Sequence, residues 1–164
     1  VTQGMSERVL LENADDNVGF GCGPENPMGL RLKFYQEGDR VTTEAAPTKW
    51  WSGQPGVVNP GILYAVLLDL NTWAASGVLH RVPLLGKTTV LDLGAVSVRA
   101  PFTGAAWVAK RDGSLLLLRA ELHQDGKRRA TMEQEAQLVT QEAYAKARPL
   151  MELPASLNGY FERE

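Results

Sequence analysis

The chain has 164 residues, a length that fits one domain around one sizeable core. Its 17 basic and 19 acidic residues leave a net charge of −2, which argues against a nucleic-acid protein reached through a general basic field. One cysteine, Cys22, excludes an internal disulfide and a cysteine cage, and His80 and His123 lie too far apart for metal-ligand spacing, so no metal and no cofactor are expected.

The first residues, "VTQGMSERVLLENADDN", hold no sustained apolar core and do not read as a signal peptide. The longest uninterrupted apolar run, Ile62 to Leu68, is far short of a membrane span, and a cytoplasmic protein with no membrane partner is expected. "SERVLLENA" predicts a short helix ended by Asp15, Asp16 and Asn17. "GFGCGPENPMGL" follows as a constrained loop of glycines and prolines. Cys22 within it reads as a small buried apolar residue, since nothing nearby in sequence lowers its pKa.

From Leu30 the alternation of Leu30, Leu32 and Phe34 with charged neighbours predicts a half-buried strand, a turn at Gly38-Asp39 and a second strand. After the loop "TKWWSGQPG", residues 61–75 predict a long helix that is apolar round most of its circumference. Pro60 suits its first turn and Asn59 its N-cap. Gly61 leaves a bare amide at the helix start, able to stabilise a carbonyl oxygen that becomes negative. Asp69 is the one carboxylate of the helix. It is read either as a structural acid bonded to a turn or to an arginine such as Arg99, or as a catalytic base or nucleophile tuned by burial. Thr72, three residues on, either shares that site or bonds back to its own helix. Trp50 and Trp51 either line a pocket or pack the loop onto the sheet.

From Thr88 onward the pattern is a meander of about four strands. Asp-Gly pairs at 112–113 and 125–126 mark hairpins. Lys127, Arg128 and Arg129 read as a solvated strand start, and Leu115 to Leu118 as a central strand covered on both faces, by a helix or by another subunit. "QEAYAKA" predicts a closing helix, and the apolar residues of the tail suggest packing onto the domain or a partner. The layout is α+β, one helix against an antiparallel sheet, in a single domain over residues 1–164 with a core at 18–140, an N-terminal segment at 1–17 and a C-terminal extension at 141–164.

Three segments together resemble the hotdog-fold thioesterases, in their PaaI-like branch. "FGCGPENPMGL" is similar to a loop written C-x-x-C-G-x-x-N-P-x-G-L, with Gly19 in place of the first cysteine. "PGVVNPGILYAVLLDLNTWAA" resembles P-G-V-V-H-G-G-I-L-x-x-L-L-D-E-x-x-x-W-A-A, and "DGKRRATMEQEAQLV" the last strand. The resemblance implies a hotdog fold, one long central helix wrapped by a curved antiparallel sheet. It also implies a homodimer or homotetramer and an acyl-CoA-type thioester site at the subunit interface. Gly61 takes the place of the amide that holds the carbonyl. The acid expected seven residues later is Leu68, and Asp69 stands one position on, a rotation of about 100° on a helix. Two functions follow from the resemblance. One is a thioesterase with Gly61 and Asp69 catalytic and Asn59 and Thr72 binding substrate; the other is a hotdog module that binds or regulates without turnover. A dehydratase on this fold needs a histidine where Asn59 stands, and ranks last.

Overall fold

Turn chemistry and alternation lay down the strands, and the apolar helix covers them. The computed structural model describes residues 7–152 and 159–161. In chain order its elements are β1 (Arg8–Leu10), β2 (Phe34–Glu37), β3 (Arg40–Ala45), β4 (Ser52–Gln54), β5 (Val57–Val58), α1 (Pro60–Trp73), β6 (Pro83–Leu93), β7 (Phe102–Asp112), β8 (Leu115–Gln124), β9 (Lys127–Leu138) and α2 (Gln141–Ala147). Seven strands form one antiparallel sheet in the order β1-β2-β3-β7-β8-β9-β6, and β4 pairs with β5 apart from it.

The turns sit where backbone freedom allows them. Gly38 has φ 65, and Asp125 and Gly126 have φ 53 and 69. Two successive positive φ values match the right-handed twist of the flanking strands. At the β7–β8 corner the turn falls on Gly113 and Ser114, one residue later than the Asp-Gly pair suggests, with Gly113 at φ 57. Register shifts in the β6–β9, β7–β8 and β8–β9 ladders bend the long strands.

One face of α1 lies on the sheet. Leu63, Val66, Leu67 and Leu70 are fully buried against Val41, Phe102, Ala106, Ala120, Leu122 and Met132. The sheet is small-residued directly beneath. A Cβ added at Gly104 would stand 2.6 Å from Leu70 Cδ1 and 2.9 Å from Leu122 Cδ2, so the missing side chain leaves room for these leucines where the helix meets the sheet. The helix then passes into a turn of π-helix, Ala74–Val78. Pro60–Val78 is long and apolar enough by length and composition to cross a membrane, and here its apolar face is packed on the sheet.

Several expectations are corrected. Residues 8–10 of the expected N-terminal helix are strand β1, paired Arg8 to Glu37 and Leu10 to Tyr35. Ser6 lies outside the described residues. A segment this short cannot nucleate a helix alone, and the open edge of β2 offers it partners for its backbone. The strand expected from Leu30 starts at Phe34, although Leu32 already points inward. Leu116 and Leu118 are buried and Leu115 on the opposite face is 56% exposed, so among the described residues no helix covers that end of the far face, which leaves another subunit as the cover expected there. α1 is also less enclosed than its composition suggests, since Gly61 and Tyr64 are exposed. Of the tail, Phe161 packs with Val82 and Tyr144, and residues 153–158 and 162–164 lie outside the described residues.

Two substitutions on adjacent residues of α1 should act in opposite directions. Leu70→Ala empties the tightest helix–sheet contact and is expected to lower unfolding free energy by about 2–5 kcal/mol. Asn71 is fully buried, and neither its Nδ2 nor its Oδ1 has a hydrogen-bond partner among the described residues. Asn71→Leu is therefore expected to raise stability, by about 1–3 kcal/mol. Urea unfolding curves of both variants check the pair.

Candidate active site

Local chemistry fixes the start of α1. Asn59 N–H donates to Trp51 O at 2.7 Å, and Pro60 occupies the first helical turn. The Asn59 side-chain oxygen then accepts the Gly61 N–H at 2.8 Å. The bare amide expected at Gly61 is thus already engaged by its own cap, and a ligand carbonyl would have to displace the Asn59 carboxamide. Both residues are exposed. Trp51 packs edge-on against Phe102 with ring centroids 6.5 Å apart, whereas Trp50 is 81% exposed.

Helical geometry separates the candidate residues. Gly61, Tyr64, Leu68 and Thr72 follow one another at spacings of three and four, so they form one outward stripe. Leu68 therefore stands where an acid seven residues beyond Gly61 would stand. Thr72 bonds back to its own helix, its Oγ1–H donating to Leu68 O at 3.0 Å. Asp69 is turned about 100° from Leu68 and lies eight residues from Gly61, about 12 Å along the axis. The structure does not bring the two together within one chain.

Asp69 instead meets the loop at 19–32. Its carboxylate occupies the space where a side chain at Gly21 would begin, so Gly21 has to be glycine for the acid to sit there. The side chain on which the Asp69 charge acts there is the thiol of Cys22, the residue after Gly21, and not Arg99. The sulfur also receives the Trp73 Nε1–H at 3.5 Å and the Asn17 Nδ2–H at 3.9 Å. Asn13 Nδ2–H donates to Cys22 O at 2.8 Å, and Asn17 to Asn13 Oδ1 at 2.9 Å. Leu32 N–H to Gly21 O at 3.0 Å ties the far side of the loop. Trp73 is itself fixed by stacking on Phe34, centroids 5.5 Å apart.

Burial raises the Asp69 carboxyl above its ordinary value, and the Cys22 thiol draws it part of the way back. Burial first, and then the Asp69 charge, push the Cys22 thiol up to about 11, with the Trp73 N–H acting in the opposite sense. The neighbour that matters to Cys22 is 47 residues away in sequence, so the loop alone could not disclose it. The available signal was the spacing of Asp69 and Trp73, four apart on one helix and hence on one face.

Two cavities flank the segment Leu10–Ala14. One, of about 780 Å³, has Cys22, Leu11, Phe34 and Trp73 in its wall. The other, of about 490 Å³, reaches Thr72, His80 and Tyr160. Gly61 and Asn59 line neither.

The raised Asp69 carboxyl has a consequence for stability. The folded protein holds that proton more tightly than the unfolded chain, so ionising Asp69 favours unfolding as pH rises from its ordinary 3.8 through the folded value. Asp69→Asn is expected to raise the thermal midpoint at pH 7, and the gain should shrink as pH falls toward 3.8. Thermal melts of both proteins across that range check the sign.

No protein-family model matches the chain, and no curated protein matches it in sequence. Solved structures match its fold. A thioesterase superfamily protein superposes with TM-score 0.67 at 16% identity, over 73% of this chain and 60% of that one. The chain thus spans less than two thirds of the length of that relative. Zebrafish thioesterase superfamily member 2 gives TM-score 0.61 at 15% identity, over 70% of this chain and 88% of that one. The E. coli PaaI protein from the phenylacetic acid degradation operon gives 0.60 at 13%, over 66% and 79%. With one long helix laid on a seven-stranded antiparallel sheet and these matches, the chain has the α+β hotdog fold seen in thioesterase-superfamily structures.

Proposed function

We propose that the chain binds and hydrolyses an acyl thioester of the acyl-CoA type, with Asp69 as the acid-base group. One observation carries this reading: Asp69 is a half-buried carboxylate that sits against Gly21, beside the Cys22 thiol rather than beside a cation. Carboxylates held inside a fold for structural reasons are ordinarily neutralised by a cation or by several N–H donors. A carboxylate left with raised proton affinity next to a cavity wall is suited to taking a proton.

Gly61 and Asp69 are too far apart in one chain to act on one carbonyl. Gly61 of one copy and Asp69 of another can do so, which favours a homodimer or a tetramer built from it. β6 is an end strand of the sheet, and Val90, Leu91 and Leu93 on it are 39%, 49% and 37% exposed. A long apolar edge of this kind calls for a partner strand. In this arrangement Asn59 yields the Gly61 amide to the substrate carbonyl, and Thr72 offers only its oxygen lone pairs to substrate or water.

A second reading, binding without turnover, is favoured by Leu68 on the open stripe and by the cap that occupies the Gly61 amide. A panel of acyl-CoA esters, assayed for released thiol, separates the two. The thioesterase reading expects turnover that falls at least about 100-fold in Asp69→Asn, the scale of a lost general base, while the variant keeps its fold. Unchanged turnover in Asp69→Asn removes the acid from the mechanism. A thermal shift with acyl-CoA, no turnover in the parent and turnover in Leu68→Asp would establish the second reading instead.

A further inference from the structure

The displacement of the acid by one residue does more than remove it from the open stripe; it delivers it to a thiol. Three observations converge at Cys22. The Asp69 carboxylate sits against Gly21, the residue before Cys22, close enough for its charge to act on the thiol. The Trp73 Nε1–H points at the sulfur from 3.5 Å, where it can stabilise negative charge as the proton leaves. On its other side Cys22 forms part of the wall of the cavity of about 780 Å³, a size within the range of small-molecule sites. That cavity has an apolar lining from Leu11, Leu32, Phe34 and Trp73, and exposed Arg31 and Lys33 at its edge alongside Glu12 and Asp15.

We propose that Cys22 is the nucleophile that Asp69 serves, and that the acyl group passes from its thioester onto Cys22 and into this cavity. The proposal rests on the thioester reading above and names a second catalytic residue for it. A thiol beside a carboxylate is protonated at rest and becomes a nucleophile only when the neighbouring base removes its proton at the moment of attack. The steps balance. Asp69 takes the Cys22 proton as the sulfur bonds to the thioester carbonyl carbon. The bond from that carbon to the carrier sulfur then breaks, and the carrier leaves as a thiol with the proton from Asp69. The acyl group is now a thioester of Cys22. Asp69, again a carboxylate, takes a proton from water as the water oxygen attacks, the acid departs, and the Cys22 sulfur recovers the proton. Gly21 is part of the device, since a side chain there would hold the carboxylate away from the sulfur. Leu68 plays no chemical part in these steps.

Cys22 is the chain's one cysteine, so an adduct is assigned without ambiguity. The full chain is mixed with acetyl-, phenylacetyl-, octanoyl- and palmitoyl-CoA, quenched in acid within seconds and weighed intact, and released CoA is followed in parallel. The expected result is a mass gain of one acyl group, removed by neutral hydroxylamine and absent in Cys22→Ser and Cys22→Ala. Asp69→Asn should form the adduct at least about 100-fold more slowly, as for a lost general base. Should the variants fold poorly, wild type alkylated at Cys22 with iodoacetamide serves in their place and should release no CoA. Turnover at the wild-type rate in Cys22→Ala or in the alkylated protein overturns the proposal and leaves the thioesterase reading standing. An adduct without turnover supports Cys22 as the acyl acceptor and places the limit at deacylation. Neither adduct nor released CoA with any ester overturns both.

Discussion

The close approach of α1 to the sheet governs the rest of the molecule. Gly104, Ala106 and Ala120 leave no bulk beneath the helix, and Leu70 fills the space over Gly104. Interiors are packed at crystal density, so such a contact fixes the rotation of a helix as well as its distance. Once Leu63, Val66, Leu67 and Leu70 face the sheet, the direction of every other side chain on α1 follows. Gly61, Tyr64 and Leu68 face outward, and Asp69 is carried round to the loop at 19–32.

That loop has the composition to receive an acid. Gly21 lacks the Cβ that would collide with the carboxylate, and Cys22 places an uncharged thiol beside it. The price is the desolvation of both groups, which lifts the carboxyl and the thiol together. Asn17 and Trp73 donate to the sulfur and Asn13 to the Cys22 carbonyl, so the N-terminal segment, the loop and the helix meet at one residue. A structural anchor for a loop would more simply use an arginine or an apolar residue. The thiol–carboxylate pair beside a cavity is the feature that distinguishes this site.

Much of the fold was legible in the sequence because it was locally encoded. The Gly38-Asp39 turn, the Asp125-Gly126 hairpin, the Asn59-Pro60 helix start and the α2 helix each follow from backbone preferences that operate within a few residues. β1 was misread because a three-residue strand has no preference of its own and takes its conformation from the edge of β2. The far face of β8 was expected to be covered by a helix or another subunit, and Leu115 is exposed in the single chain because apolarity says a face wants cover, not that the chain provides it. The site was legible only in part. The spacing of Gly61, Leu68 and Asp69 announced that the acid is out of line, since a helix converts one residue into about 100°. It did not say what the acid meets.

The sequence by itself determined the α+β layout, the start of α1 and the separation of Asp69 from the stripe of Gly61 and Leu68, all consequences of local backbone geometry. Only the tertiary structure decided that Asn59 occupies the Gly61 amide, that Asp69 meets Cys22, and that a cavity opens beside that thiol. These depend on contacts between residues far apart in the chain, and such contacts are set by how α1 and the loop pack together rather than by any stretch alone.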